Sequence, residues 1–336
     1  MALRFAPQPL RDHRAVVLAA VNKDGRALRH ASEALQNDKE IVLAAVHSCP
    51  DAMACASLEL REDPDFAMAS IELNSDVLAY LSESLRNDRE VVRAAVMQNG
   101  SALRHASAAM AEDPAICLAA VESNASALRH TSNSMRETPE VVLAAVRQDG
   151  TQLKYASPTL RKLRETALAA LSQNPEAFRG IDPELWSDGD FVKEALKIDP
   201  GLAKYAKKVC PRLWEDLNFI IDIVNMDGSL LKHASEELRQ DRDVVLQAVR
   251  QDGTSLEWAD PSHKDDVEIV AEALLENEKA GFFADKRTIS DLGPRGSLQW
   301  EKVLQIKRTP SQVNPKKFAM AKIYSLRTYM VQRVKV

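Results

Sequence analysis

The sequence contains few of the residues on which β-sheet proteins depend. Its 336 residues include 11 glycines, eight Phe, five Tyr and four Trp. Sandwiches and barrels need aromatic and β-branched strands joined by glycine-rich turns, so this composition argues against an all-β fold. The chain relies on Ala, Leu and Val instead, and its 28% of charged residues is typical of a folded soluble protein.

Long hydrophobic runs are also missing. No stretch approaches 18 consecutive apolar residues, which excludes an ordinary transmembrane helix. Residues 1–10 lack the apolar segment of a secretory signal peptide, so we expect a cytoplasmic or otherwise intracellular protein. Cysteine is scarce, because the chain has four and none forms a C-x-x-C pair. This pattern is typical of free thiols in a reducing compartment.

Familiar catalytic motifs are absent as well. The chain has no G-x-x-x-x-G-K-[ST], no G-x-G-x-x-G, no H-E-x-x-H and no G-x-S-x-G. These motifs hold nucleotides, zinc or nucleophilic serines in the enzymes that use them. We therefore predict a protein that is not an enzyme and that carries no cofactor.

A 25-residue repeat organises most of the chain. Leu or Met recurs at this interval at eight positions in a row, after which one interval lengthens to 28 residues before the period resumes. The marker residues are Leu10, Leu35, Leu60, Leu85, Met110, Met135, Leu160, Leu185, Leu213 and Leu238. The predicted array spans residues 10–287 and is divergent around residues 160–213.

Each repeat predicts a buried helix followed by a shorter one. An Asp or Thr stands at the expected N-cap, Pro or an acid follows, and the next residues read V-V-L-A-A-V, which is apolar nearly all round. We expect this helix to end at D-G or N-G, where glycine would adopt a positive φ. A shorter helix then covers positions such as residues 26–32, and a Ser or Asp starts a further turn.

One such repeat cannot bury its own apolar face, but stacked repeats can. The sequence therefore predicts an all-α fold, an α-solenoid of about ten to eleven 25-residue helix-turn-helix repeats. Residues 1–9 are the expected N-terminal cap. Residues 288–336 are expected to form a basic C-terminal extension, a linker followed by an amphipathic helix.

The recurring phrase resembles a known family. Its pattern is D-x-x-V-V-L-A-A-V-x-x-D-G-x-x-L-x-x-A-S-x-x-L, as in DHRAVVLAAVNKDGRALRHAS at residues 12–32. It resembles an uncharacterised family of tandem helical repeats, a domain of unknown function found in bacteria, protists and algae. The family's unit corresponds to about two of these repeats, and the resemblance covers roughly residues 10–260. It implies a helical-repeat fold and supplies no catalytic residues.

One repeat position carries flat side chains in most repeats. It is occupied by His30, His105, His130 and His233, and elsewhere by Cys55, Tyr80, Tyr155, Tyr205 and Trp258. A zinc ion needs ligands within about 2.1 Å, whereas packed helices lie about 8–10 Å apart. We therefore interpret this position as a packing position and predict no metal site.

The residue before the flat position is usually basic. We call these residues the basic ladder: Arg29, Arg104, Arg129, Lys154, Arg179, Lys204 and Lys232. Basic and flat side chains in register could bind phosphates and stack the bases of a nucleic acid. Alternatively, each cation pairs with Asp or Glu at a neighbouring helix N-terminus in a solvated charge network. The negative net charge of the array favours the second interpretation.

The C-terminal tail is basic although the whole chain has a net charge of −5. Residues 301–336 hold nine Lys or Arg and one Glu, and residues 316–335 predict a basic amphipathic helix. Its candidate partner-binding residues are Lys316, Lys317, Lys322, Arg327 and Arg333. This helix could cap the acidic array, bind a partner protein, or contact a nucleic acid or anionic surface.

Together these features predict a non-catalytic scaffold that binds protein partners, as a structural or accessory subunit of a larger assembly. The candidate contacts on the array are Arg29, His30, Arg104, His105, Arg129, His130, Lys154, Tyr155, Lys204, Tyr205, Lys232 and His233. The alternative is an RNA- or DNA-associated repeat protein that uses the same ladder and the basic tail. The sequence leaves the oligomeric state open.

Overall fold

The computed structural model describes residues 2–294, and every regular element in this part of the chain is helical. Its framework is a series of eleven α-helices of ten residues each, which we call the long helices. They are Arg14–Lys23, Lys39–Ser48, Pro64–Leu73, Arg89–Gln98, Pro114–Ser123, Pro139–Gln148, Arg164–Gln173, Gly189–Ile198, Leu217–Met226, Arg242–Gln251 and Val267–Glu276. We number the repeats 1 to 11 by these helices.

Each long helix is followed by a 3-10 helix. These helices are Gly25–His30, Pro50–Cys55, Ser75–Tyr80, Gly100–His105, Ala125–His130, Gly150–Tyr155, Pro175–Gly180, Pro200–Leu202, Gly228–His233, Gly253–Trp258 and Glu278–Phe282. They pack against the corresponding helices of neighbouring repeats within each compact unit. The predicted shorter helix therefore exists, but it has 3-10 geometry, in which each N–H donates to the carbonyl oxygen three residues earlier.

A third short element completes each repeat. The α-helical examples are Glu33–Gln36, Leu58–Glu62, Glu83–Arg86, Asn133–Arg136, Pro158–Arg161, Glu236–Gln240 and Lys286–Leu292. The 3-10 examples are Met110–Glu112, Pro183–Ser187, Pro211–Glu215 and Pro261–His263. Ahead of repeat 1 lie the 3-10 helix Ala2–Phe5 and the α-helix Gln8–Arg11. A repeat is thus a unit of three elements rather than the predicted helix-turn-helix pair.

The chain divides into two compact units, Met1–Leu185 and Trp186–Val336. Within each unit, consecutive long helices pack against one another and bury their apolar positions. In repeat 2, for example, Ile41, Val42 and Ala45 are 0% exposed. The alanine lets the neighbouring helix approach closely, as the V-V-L-A-A-V pattern predicted. The predicted all-α repeat solenoid is confirmed.

Most long helices begin at the predicted Asp caps. The Asp88 carboxylate accepts hydrogen bonds from the backbone N of Glu90 at 2.9 Å and of Val91 at 3.0 Å. Asp38, Asp63 and Asp113 cap their helices in the same way. Thr138 stands at the predicted N-cap position, but its side chain makes no cap hydrogen bond. Its hydroxyl donates to Ser134 O instead.

The glycines that follow the long helices do not have the predicted positive φ. Among the described glycines, that conformation occurs at Gly293, with a φ of 66°. The 3-10 helix starts at these positions, and a Cβ on Gly25 or Gly100 would overlap the carbonyl oxygen of Ala45 or Ala120 in the next repeat. Glycine is needed there because two repeats approach closely, and not because the backbone turns left-handed.

The 28-residue interval has a structural counterpart in repeat 8. There the 3-10 helix Pro200–Leu202 continues into the α-helix Ala203–Val209, where most repeats have a single six-residue 3-10 helix. The inserted residues lengthen the second element by about one α-helical turn. The long helices on either side keep their ten residues.

The tail candidates Lys316, Lys317, Lys322, Arg327 and Arg333 lie outside the described residues. Of the predicted extension, the described residues include 288–294, which hold the end of the helix Lys286–Leu292. None of the helices described here combines the length and the apolar character that a membrane span requires.

Candidate partner-binding surface

Six ladder cations lie on 3-10 helices, and Lys204 lies on the α-helix Ala203–Val209 that continues one of them. An Asx turn starts the 3-10 helix in each repeat that has a ladder cation: in repeat 6 the Asp149 carboxylate accepts from Thr151 N at 3.0 Å. The next residues bury one side, as at Leu153, which is 0% exposed. The following Lys154 is then exposed and Tyr155 half-buried. This local geometry repeats, so all the ladder cations are exposed and all their flat neighbours at the candidate positions are half-buried.

The ladder is interrupted. In repeats 2 and 3 its positions hold Ala54 and Ala79, which carry no charge. The unit Met1–Leu185 therefore contains one isolated ladder cation, Arg29, and a consecutive series in repeats 4 to 7. The series begins at Arg104 and ends at Arg179. The candidate residues Lys204, Tyr205, Lys232 and His233 belong to the other unit.

The flat side chains pack between repeats, as the sequence predicted. In the second unit the ring of Tyr205 lies 5.2 Å from that of Trp186, and His233 lies 5.6 Å from Trp214, both edge to face. Edge-to-face contacts at this distance are a preferred arrangement of aromatic rings. In the described residues no group of three or more His, Cys, Asp or Glu could hold a metal ion. The histidines of this position are spread along the repeats rather than brought together.

Burial and neighbouring cations keep these imidazoles neutral. Desolvation lowers the pKa of His130, and Arg129, Arg104, His105 and Arg136 lower it further. Desolvation also lowers the pKa of His105, with Arg104 acting in the same direction. For His233 burial lowers the pKa to about 4. A neutral imidazole nitrogen can accept a hydrogen bond, which a protonated ring cannot.

Each ladder cation of repeats 4 to 6 interacts with its own flat neighbour. Arg104 Nε donates to His105 Nε2 at 2.7 Å, and Arg129 Nε donates to His130 Nε2 at 2.9 Å. The ammonium of Lys154 lies 5.0 Å from the centre of the Tyr155 ring, within cation–π range. These contacts hold each cation at the surface, and one terminal amino group of Arg104 also binds Asp76.

The predicted pairing of the ladder with helix-terminal acids is wrong for most of its members. Arg104 pairs with Asp76 in the first turn of a neighbouring 3-10 helix at 3.2 Å. Arg179 pairs with Glu176 of its own helix at 2.9 Å. Arg29 donates to the backbone oxygen of Arg26.

Those cap carboxylates pair with cations that the sequence reasoning overlooked. The first residue of a long helix reaches the cap of the next one: Lys39 contacts Asp63 at 2.6 Å, and Arg89 contacts Asp113 at 3.0 Å. Arg14 and Arg242 make the equivalent contacts with Asp38 and Asp266. A basic residue 24 positions before a cap Asp was the signal that could have revealed this network.

A second row of arginines was also overlooked. It occupies the position directly after the marker Leu or Met. We call it the inner arginine row: Arg11, Arg61, Arg86, Arg136, Arg161 and Arg239. All six are half-buried. Trp186 and Trp214 occupy the same position in repeats 7 and 8. A recurring Arg after the marker was visible in the sequence but had no obvious role there.

The inner row lies in register because the third elements are linked through their backbones. Ser107 N donates to Arg86 O at 2.9 Å, and Ser157 N donates to Arg136 O at 3.0 Å. Arg136 Nη2 donates to the ladder residue Arg129 at its backbone oxygen, 2.6 Å away. Arg161 Nε donates to Gly180 O at 2.6 Å. The inner row thus runs alongside the ladder.

We call the part where both rows coincide the central basic stripe. It consists of Arg86, Arg104, Arg129, Arg136, Lys154 and Arg161. Asp76 contacts it at Arg104. The main charged groups that act on His130 are the basic side chains of Arg129, Arg104, His105 and Arg136. Such a surface attracts anionic groups.

Burial makes two of the cysteine thiols weaker acids. Cys117 is buried, and burial raises the pKa of its thiol to about 12. Burial also raises the pKa of Cys55. A thiol with a raised pKa is a poor nucleophile at neutral pH, because the thiolate is the reactive form.

The fold and this surface define a helical-repeat protein of the α-solenoid class. A family described as a domain of unknown function (DUF4116) matches the chain five times in tandem, at residues 13–61, 63–110, 113–161, 164–208 and 216–262. These matches cover more than half of the chain, so the chain belongs to this family. Each match spans about two repeats, as the resemblance predicted. Comparisons with curated proteins and with solved structures found no match.

Proposed function

We propose that this protein is a non-catalytic helical-repeat scaffold that binds a protein partner, as a structural or accessory subunit of a larger assembly. The central basic stripe is the observation that carries the proposal. The long helices bury their apolar faces in the core, whereas the 3-10 helices present cations in register at the surface. A series of equivalent side chains along a solenoid is a typical extended binding surface of repeat proteins.

The alternative partner is a nucleic acid. Exposed arginines such as Arg129 can bind phosphates, which supports this alternative. Nucleic-acid binding would weaken steeply as the salt concentration rises, because the release of condensed counterions on binding then becomes less favourable. A protein interface with packed apolar and hydrogen-bonded contacts would lose much less affinity over the same range.

Affinity capture from a host extract tests the proposal. The full-length protein is used at low and high salt, with and without nuclease, beside a variant with Arg104→Gln, Arg129→Gln and Lys154→Gln. We expect a defined set of proteins to persist through nuclease and high salt with the wild-type chain. If the captured material instead disappears on nuclease treatment, the protein is a nucleic-acid-binding repeat protein and the scaffold proposal is wrong.

A further inference from the structure

We infer that the central basic stripe binds an extended acidic peptide segment of the partner, with carboxylates at every third residue. This inference rests on the proposed function, since it names the chemistry of the partner at that surface. It follows from three features of the stripe. These are the hydrogen bonds that hold its cations, the spacing of the cations, and the contacts that the neighbouring flat and acidic side chains already make.

The cations are oriented before a ligand arrives. Arg129 Nε is fixed by its hydrogen bond to His130 Nε2 at 2.9 Å, and the imidazole in turn is held half-buried. The guanidinium therefore loses little side-chain freedom when its two terminal amino groups bind a carboxylate. Arg104 makes the same bond to His105, although one of its terminal amino groups already binds Asp76. These pairs act as fixed donors rather than as flexible surface charges.

The spacing of the ladder suits a peptide. Adjacent helices pack about 8–10 Å apart. The consecutive ladder cations Arg104, Arg129 and Lys154 therefore follow one another at steps of about that length. A peptide in the extended polyproline II conformation advances about 3.1 Å per residue with three residues per turn, so every third side chain lies on the same face and three residues span about one step. Acidic side chains at every third residue of such a peptide would each contact one ladder cation. The inner arginine row adds Arg136 and Arg161 beside these ladder cations.

The flat side chains favour a peptide over a nucleic acid. Base recognition along repeats uses aromatic faces that are free to stack on bases. Here His105 and His130 accept hydrogen bonds from their arginines, and the Lys154 ammonium lies over Tyr155. All three rings are half-buried. The stripe therefore offers charge and hydrogen-bond donors but little exposed stacking surface.

The acids around the stripe are compatible with this ligand. Asp76 binds Arg104 at the edge of the series, at 3.2 Å. Glu112 and Glu137 are exposed at the ends of the third elements. They are absent from the main groups that act on His130, all of which are basic. Asp149 interacts with Lys154, so binding should be strongest at the centre of the stripe, at Arg129.

Fluorescence anisotropy with defined peptides tests the inference on the full-length chain. The spaced probe is an 18-residue peptide, (Glu-Ser-Ser)6. The block probe has the same composition with its six glutamates contiguous. A hexauridylate of similar charge is the nucleic-acid probe. Non-specific attraction should favour the block probe or the nucleotide, since their charge is denser, whereas a matched ladder should favour the spaced probe.

Two variants with equal charge change locate the binding. The stripe variant carries Arg104→Gln, Arg129→Gln and Lys154→Gln. The control variant carries Lys23→Gln, Arg93→Gln and Arg147→Gln, three exposed cations of long helices in the same unit. We expect the stripe variant to weaken binding of the spaced probe by about tenfold or more, as the loss of three exposed ion pairs predicts. The control should change it less than about threefold.

The outcomes separate this inference from the proposed function. Tighter binding of the spaced probe than of the block probe by the wild-type chain supports the inference, and this comparison holds even if a variant fails to fold. Equal or tighter binding of the block probe, or of hexauridylate, overturns it. If the peptides fail while the wild-type and stripe variant capture the same nuclease-resistant proteins, the scaffold function stands at another surface. If no protein is captured, the proposed function fails as well.

Discussion

At the residue scale, several 3-10 helices begin with glycine because the next repeat leaves no room for a side chain there. A Cβ on Gly100 would overlap Ala120 O and approach the backbone of Asn124 to 3.1 Å. The Gly100 N–H also donates to Ser123 Oγ of that neighbour at 3.2 Å. The residue therefore permits close approach of two backbones and a hydrogen bond between them.

Replacing Gly100 with alanine should consequently destabilise the protein. The added methyl group must push apart two repeats, and overpacking of this kind costs about 1–3 kcal/mol. Urea denaturation followed by circular dichroism measures the change in the free energy of unfolding. Gly281→Ala is the control, because its Cβ would lie 3.4 Å from Leu274 Cδ2, an ordinary contact. Equal stability of the two variants would contradict this account of Gly100.

At the scale of the single element, a long helix of ten residues depends on its cap and its packing. Isolated helices of this length are marginal in water. The cap satisfies N–H groups that have no partner inside the helix. Asp88 does this for two of them in repeat 4, whereas Thr138, at the same position of repeat 6, makes no cap hydrogen bond. Equivalent sequence positions therefore contribute differently to their helices.

The comparison of Asp88→Ala with Thr138→Ala tests this difference. Loss of the Asp cap should cost about 1 kcal/mol, within the range of 0.5–2 kcal/mol for N-cap removal. Thr138→Ala should cost clearly less, since it removes a hydrogen bond to Ser134 O and no cap. Thermal and urea denaturation of both single variants gives the comparison. A larger loss for Thr138→Ala than for Asp88→Ala would show that the cap geometry is not what stabilises these helices.

At the scale of the whole molecule, the repeats stabilise one another. The most buried side chains of a repeat, such as Val92 and Ala95 at 0% exposure, lie on long helices that pack on the helices before and after. Side-chain pairs such as Arg89 with Asp113, and backbone pairs such as Ser107 with Arg86, join neighbouring repeats within the unit Met1–Leu185. A single repeat lacks all of these partners.

A peptide of residues 88–112, one complete repeat, should therefore be unfolded in water. Its ten-residue helix has no neighbour against which to bury its apolar face. Far-ultraviolet circular dichroism at 25 °C should give a coil spectrum, whereas residues 1–185, which form a compact unit, should give a helical one. A strongly helical, monomeric 88–112 peptide would show that the repeat is stable by itself.

The sequence alone determined the features that depend on near neighbours along the chain. The period of 25, the Asp caps, the buried V-V-L-A-A-V helix and the exposed cation beside a flat residue all follow from residues within one repeat. Each reflects local hydrogen bonding or helical periodicity. The fold class and the basic ladder could be predicted for this reason.

The tertiary structure alone decided the contacts between repeats. The role of Gly100 depends on Ala120, and the cap of Asp113 binds Arg89, 24 residues earlier. The sequence could not show that the ladder cations would turn to their flat neighbours, or that Arg136 would lie beside Arg129. The physical reason is that helix stacking brings together groups about one repeat apart, and their relative orientation depends on packing that no single repeat contains.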